Sequence, residues 1–524
     1  MDHFDVLIVG GGISGIAAAA HLLARFPAHR IAILEAREEL GGTWDLFRYP
    51  GVRSDSDMYS FAFSFRPWTD SRAIVDGASI LQYLKDTARE QGLYERLRFG
   101  HAVQRASWSS QQARWTLTIQ HTKKRDGSAS DAPPSDEPAS DSAASDHAAT
   151  RETLQLSCDF LYMCTGYYDY AKGYCPEFVG IERFRGRIVH PQRWTPEIEH
   201  AGKRVVVIGS GATAMTLVPA LAKTAAHVTL LQRSPSYVLA VPARDAWMTA
   251  LGQTWAGLAA AVVRWRNILL SMYLFQLCRR LPRLARKLLI AAARRQLGPG
   301  YDVKTHFSPA YQPWDQRLCI VPDGDLFAAI RSGRASVVTD AIETFTESGV
   351  VLRSGAQLPA EVVVTATGLE LQLMSNLPIQ LDGIPVDASK SLSYRGMMFS
   401  GIPNLVSSFG YTNASWTLRS ELTAQYVCRL LSYMRRRGYR QCCPRPLAAS
   451  GPSRPLVELS SGYVARGAHR FPRQGSGSPW QVTQNYLLDW ISCRWSRFAD
   501  GSREFSAGVE APATRAAARE GQLT

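Results

Sequence analysis

At 524 residues, with 46% apolar and 10% aromatic residues, the chain exceeds one ordinary core and has ample side chains to fill two or three, so a globular, multidomain protein is expected. The net charge of +14 first suggests nucleic acid, but nine of the cations (Arg264, Arg266, Arg279, Arg280, Arg283, Arg286, Lys287, Arg294 and Arg295) fall in one stretch with no acid between Asp245 and Asp302. Their neighbours are Leu, Ile, Ala and Trp at helical spacing, and no nucleic-acid module is recognisable, so a nucleic-acid partner is disfavoured. MDHFDVLIVGGG has no basic leader before its Gly-rich turn, which argues against a signal peptide. The nine Cys include no C-x-x-C pair or zinc spacing, so neither disulfides nor a metal is expected, and the thiols fit a cytoplasmic protein.

In chain order, DVLIV (5–9) reads as a buried strand, GGGISG as a tight turn, IAAAAHLLARF as a helix and IAILEA as a second strand. Gly10 permits the turn, Gly12 lets backbone approach a pyrophosphate at the helix N-terminus, and Gly15 allows close packing; Glu35 can accept from ribose hydroxyls. Residues 122–152, rich in Ser, Ala, Asp and Pro, read as a disordered insertion at a hairpin tip. RVVVI (204–208), GSGATA, MTLVPALAK and HVTLLQR repeat the first unit with Gly209, Gly211 and Ala214. Its second strand ends in Arg233 and Ser234 where an acid would repel a 2′-phosphate, so this unit is expected to select NADPH, unless Arg233 is only a solvated cation.

Residues 245–300 read as helices in which AWMTALGQTWAGLAAAVV and NILLSMYLFQLC form two separate apolar runs, neither suited to span a bilayer. Their basic face is either a solvated surface or a peripheral contact with anionic lipid. Cys164-Thr165-Gly166 and Ala366-Thr367-Gly368 each follow an apolar run. Such turns bring backbone close to a dinucleotide or mark a crossing between domains. The expected class is α/β: two Rossmann-like domains, for FAD and NADPH, with a helical subdomain inserted in the second. The divisions are 1–180 for the first FAD part, 181–200 for a linker and 201–240 for the first NADPH part. The helical subdomain follows at 241–316, then the second NADPH part at 317–365, the second FAD part at 366–490 and a largely disordered tail at 491–524.

Two dinucleotide units also occur in disulfide reductases, but no Cys lies between Glu35 and Tyr59. That interval holds GGTWDLFRYPGVRSD (41–55), with two small residues, Trp44, Tyr49-Pro50-Gly51 and Asp55, a pattern that resembles the Baeyer-Villiger monooxygenases. Phe184, Gly186, His190 and Trp194 match the F-x-G-x-x-x-H-x-x-x-W fingerprint of the same family, with Thr195 standing before Pro196 where the family has Pro or Asp directly. YDVKTHFSPAYQPWDQRLCIVPDGDLF and GYTNASWTLRSELTAQYVCRLL are similar to the ethionamide-activating branch, and the resemblance runs from residue 4 to about 490.

The resemblance implies FAD and NADPH as cofactors, O2 as co-substrate, and a C4a-peroxyflavin that attacks a ketone or sulfur-containing small molecule. It places Arg317 beside the flavin with Asp55 as its orienter, in catalytic roles. It makes Phe184, Gly186, His190 and Trp194 a linker that couples the domains, and extends the FAD-binding set to Ser14, Thr43, Trp44, Asp55 and Tyr59 and the NADP-binding set to Thr213. A heteroatom monooxygenase with little ketone activity, and a flavin-binding membrane-surface protein that has lost oxygenation, stand as alternatives. Oligomeric state is left open.

Overall fold

The computed structural model describes residues 1–123, 150–446 and 453–507. Two sheets organise them. The larger is mixed and runs Ile384–Val386, Ile379–Leu381, His101–Ser109, Arg114–Lys123, Thr150–Met163, Asp2–Val9, Ile31–Leu34 and Leu97–Arg98, with Leu405–Ser407 also on Thr150–Met163. Its nucleotide-binding half is parallel, Leu7 pairing with Ala32 on one side and Leu161 on the other. Leu7 and Ile8 have no exposed surface, as a strand covered on both faces requires. Ala17, Ala18 and Ala19 of the first helix, Ile13–Arg25, are small enough for the helix Trp416–Arg437 to pack close, and they share one core with its Leu422, Tyr426 and Leu430.

The second sheet is wholly parallel, in the order Ala335–Thr339, His227–Gln232, Arg204–Ile208, Val362–Thr365 and Arg187–Val189. Its edge strand comes from the stretch expected as a linker, so part of 181–200 is built into the second sheet. The two-strand pair Tyr168–Gly173 with Leu369–Leu371 carries the chain between the sheets.

The helical insertion leaves and returns through one parallel clasp, Val238–Val241 on Cys319–Pro322, with Val238 opposite Cys319. Inside it lie Ala246–Arg280, Pro282–Leu297 and Val303–His306. The two apolar runs read as separate segments are one 35-residue helix with a kink at Trp255, because Arg264 and Arg266 turn inward to partners and do not break it. Among the described residues, its part Thr254–Arg280 is the one helix long and apolar enough to cross a membrane, by length and composition.

The reading of 491–524 as largely disordered is corrected for its first half. Tyr486–Trp495 is a helix, and Arg503–Ser506 pairs antiparallel with Gln441–Pro444 because Arg503 is buried against Tyr426 and Phe498. Residues 508–524, and 124–149 of the expected insertion, lie outside the described residues; the strands flanking the latter form a hairpin with Lys123 opposite Thr150.

Candidate active site

Both glycine loops use backbone space that a side chain would fill. Gly10 has φ +109°, and a Cβ there would stand 2.5 Å from the Cys164 carbonyl oxygen; Gly209 has φ +131° and would meet the Ala366 oxygen at 2.3 Å. The two small-Thr-Gly turns are thus the floors on which the two loops rest. Gly15 packs on Gly10, its Cβ position lying 1.9 Å from the Gly10 oxygen. The helices Ile13–Arg25 and Ala212–Leu221 start at Gly12 and Gly211 with no side-chain cap, whereas Asp57, Asp76, Asp245 and Asp302 each cap the helix they begin. Uncapped N–H groups at a glycine turn are free to receive phosphate oxygens, so the residues present fit a dinucleotide at each loop.

Over the first loop folds the turn Gly41–Trp44. Gly42, at φ +56°, stands so close to Gly12 that a Cβ would be 3.1 Å from its Cα. Arg37 holds this turn by donating to the Gly42 oxygen and pairing with Asp45. Glu35 is buried, accepting from Gly11 N–H at 2.7 Å and Arg37 N–H at 2.9 Å, which leaves part of its acceptor capacity for a ribose. Thr43 Oγ1 bonds the Tyr168 hydroxyl, Trp44 meets Phe61 edge-on, and Ser14 Oγ accepts from Trp416 Nε1 at 2.9 Å.

The segment 41–55 then crosses to the second unit four times. Tyr49, whose hydroxyl pKa burial pushes up to about 12, stands beside Thr213 of the second loop in the same cleft wall. Gly51 has φ +78° and touches the second helix, its Cβ position 2.6 Å from Ala220 Cβ. Arg53 donates to Asp325 at 2.5 Å. Asp55 accepts from Arg317 at 3.1 Å, a contact between residues 262 positions apart.

These contacts wall a cleft of about 1180 Å³, its open mouth included. Gly12, Ser14, Thr43 and Trp44 of the first unit, Ala212 and Thr213 of the second, and the pair Asp55–Arg317 all face it. Arg317 keeps 38% of its side-chain surface and Asp55 25%, so the guanidinium is presented to the cleft and held by one carboxylate. The clasp explains its position: Arg317 lies two residues before Cys319, where the chain returns from the helical insertion.

The fingerprint residues lie away from this cleft, at the crossing between the sheets. Phe184 is buried edge-on to Phe345, and Gly186 leaves room for the Glu361 oxygen, 2.5 Å from its Cβ position. His190 Nδ1 accepts from Gln192 N–H, so Nε2 carries the proton and donates to Gly368 O at 3.3 Å. Its ring also fills the space beside Gly173, and burial pulls its pKa below the ordinary value. His190 therefore touches both crossing strands in neutral form. Trp194 is buried in the second core beside His200.

One expected contact falls elsewhere. Tyr59 turns from the cleft: its hydroxyl donates to Asp70 O and its ring packs with Met248 and Val263, while Phe61, on the opposite side of the same helical turn, faces the cleft. Arg233 and Ser234 stand exposed just past the end of the strand His227–Gln232, where the sequence sets them, and are not among the residues that line the cleft. The sequence reading missed the aromatic wall, Tyr167 stacked on Trp416 at 5.0 Å with Tyr168 stacked on Tyr170 at 4.9 Å. Two Tyr following Cys164-Thr165-Gly166 were the available signal.

The chain matches the family models described as flavin-binding monooxygenase-like over residues 149–376 and NAD(P)-binding Rossmann-like domain over residues 8–76. It is 47% identical over 508 residues to the FAD-containing monooxygenase EthA of Mycobacterium tuberculosis, covering 96% of this chain and 98% of that one. Identity is also 47% over 517 residues to the putative FAD-containing monooxygenase MymA of the same organism (97% and 98% covered), and 43% over 511 residues to a probable FAD-binding monooxygenase, AlmA, of Acinetobacter baylyi (96% of each). Its fold is similar to an NADP-bound steroid monooxygenase, at TM-score 0.67, 23% identity and 85% and 88% coverage, and to an open cyclohexanone monooxygenase, at TM-score 0.67, 19% identity and 85% and 90% coverage.

Proposed function

Because the chain belongs to the FAD-containing, NADPH-dependent flavin monooxygenases, in the branch that holds EthA and MymA, we propose that it is a Baeyer-Villiger enzyme that converts ketones to esters or lactones and also oxygenates sulfides or thioamides. The reaction consumes ketone, O2, NADPH and a proton, and yields ester, NADP+ and water. Bound FAD would supply the chemistry, taking a hydride from NADPH and activating O2. The first loop, Gly10, Gly12 and Gly15 with Ser14, Glu35, Thr43 and Trp44, would hold FAD. The second, Gly209, Gly211, Thr213 and Ala214 with Arg233 and Ser234, would hold NADPH.

The observation that carries this reading is the Asp55–Arg317 pair, set in the cleft where the two loops meet. Arg317 offers a fixed positive charge to oxygen that becomes negative as it is transferred, and a preorganised donor of this kind accelerates such steps by roughly a hundred- to a thousandfold. Asp55 keeps the guanidinium aimed. Phe184, Gly186, His190 and Trp194 would couple the domains from the crossing, without touching the reacting atoms. The helical region 245–300 would, in the same reading, make a peripheral contact with a membrane surface.

A panel of ketones, sulfides and thioamides with purified FAD-loaded protein tests the reaction, with mass spectrometry for a product heavier by one oxygen. Product from sulfur compounds alone would return the enzyme to the heteroatom class.

A further inference from the structure

We propose that the outer face of the helix Ala246–Arg280, continued by the helix Tyr486–Trp495, seats this protein on an anionic phospholipid bilayer; the proposal rests on the peripheral-contact reading above and names its partner. A helix at a protein surface normally turns apolar residues inward and charges outward. Here the charges are reversed. Before Arg279 the helix has two charged residues, Arg264 and Arg266, and both are engaged by the protein: Arg264 donates to the carbonyls of Tyr59 and Ala62 and pairs with Glu421, and Arg266 pairs with the buried Asp245 while lying over the Trp247 ring. The inner face is already apolar, with Met248, Val263 and Ile268 buried.

The outer face nonetheless carries Trp247, Leu251, Trp255, Leu258, Val262 and Trp265, and the three- and four-residue spacing continues to Leu269 and Tyr273, with exposures from 40% at Trp265 to 68% at Tyr273. A helix apolar on every side belongs either in a core or in lipid, and this one is not in a core. Trp and Tyr along the stripe suit the headgroup level, where an apolar ring with one polar edge is best solvated. Trp265 meets Tyr486 at 5.9 Å, and from there the second helix extends the surface with exposed Leu488, Ile491 and Trp495.

Cations flank both ends of this surface. Arg283, Arg286, Lys287 and Arg294 line one groove with Gln312, and Arg436, Arg437, Arg494 and Arg497 line another beside Trp495. Among the described residues none of these eight is paired with a carboxylate, although Arg279 nearby pairs with Asp315. Lipid phosphates supply the missing countercharge; a second copy of the same surface would bring only more cations.

Flotation of the full-length, FAD-loaded protein with vesicles tests this, using phosphatidylcholine alone against an equimolar mixture with phosphatidylglycerol. The protein should float with the anionic vesicles and be released by salt. Each cation at such a surface strengthens binding roughly fivefold, so Arg283→Gln/Lys287→Gln/Arg294→Gln should weaken it on the order of a hundredfold. Leu258→Glu/Leu269→Glu should abolish it, and NADPH oxidation in both variants should match the parent, showing that they fold. Equal binding to both vesicle types would overturn the anionic recognition while keeping membrane contact; binding to neither would overturn both. A dimer in light scattering that Leu258→Glu dissolves would assign the face to a second copy and overturn the proposal.

Discussion

The two dinucleotide units are built alike to the level of single atoms and differ in what surrounds them. Each has an uncapped helix behind a positive-φ glycine, and each first glycine rests on a carbonyl of a small-Thr-Gly turn, Cys164 or Ala366. Around Gly12, however, Gly42, Thr43 and Trp44 close over the loop and Glu35 is buried beneath it, whereas a Cβ on Gly211 would meet nothing within 4 Å and Arg233 stands in solvent. One scaffold thus gives a closed site suited to a resident cofactor and an open one suited to a nucleotide that exchanges.

The comparison can be broken most severely at its first glycine. Gly10→Ala combines a disfavoured φ with a Cβ 2.5 Å from the Cys164 oxygen, so protein should purify without flavin, read as flavin absorbance per chain. Gly211→Ala, in open space at φ −82°, should keep full flavin and raise only the KM for NADPH. Equal damage from both would contradict the asymmetry.

Where the two units meet, Arg317→Ala should leave both nucleotides bound yet cut oxygenated product about a hundredfold, with NADPH still oxidised and hydrogen peroxide released. The measurement is product per NADPH with peroxide counted in parallel; wild-type coupling would remove Arg317 from the catalytic role. Asp55→Ala should be milder, since the cation stays.

On the open side, Arg233→Ala should raise the KM for NADPH roughly ten- to a hundredfold and leave that for NADH nearly unchanged, through loss of a charge-assisted phosphate contact. Equal losses with both would show that Arg233 is only a solvated cation.

His190 should have a smaller effect. Its pKa lies below 6.5 in the folded chain, so it is the neutral ring that accepts from Gln192 and donates to Gly368. A depressed pKa means that the stability it contributes is complete above the unfolded value and is lost as pH falls through 6.5 toward the folded value. His190→Ala should keep FAD, slow turnover severalfold and flatten the acid side of the thermal-stability profile. Loss of flavin would place His190 in the FAD site instead. The least effect is expected from replacing 124–149 by Asn-Gly: Lys123 and Thr150 already face each other across the hairpin, and flavin content and turnover should be unchanged.

What was legible in the sequence follows from distance along the chain. Gly10, Gly12, Gly15 and Glu35 could be read directly because a βαβ unit writes its chemistry within one short segment. Arg317 could not, since by itself it is one more cation in a basic chain, and 262 positions separate it from Asp55. Only the resemblance singled it out. Tyr167 and Trp416 were invisible for another reason: aromatic residues after a strand or at a helix start are usual core material, and only the folded chain turns them toward a cleft. Tyr59 shows the converse, a residue adjacent to the right motif whose one-turn helix points it the wrong way.

The clasp Val238–Val241 on Cys319–Pro322 has a meaning beyond geometry. It fastens both ends of the helical insertion side by side, so the returning chain has a fixed register, and Arg317, two residues before the returning strand, is set down at the cleft from it. The insertion is moored to the first unit as well, through Arg264 on the Tyr59 and Ala62 carbonyls and on Glu421, so a change of length in its helices is felt at two anchorages and not at its ends alone.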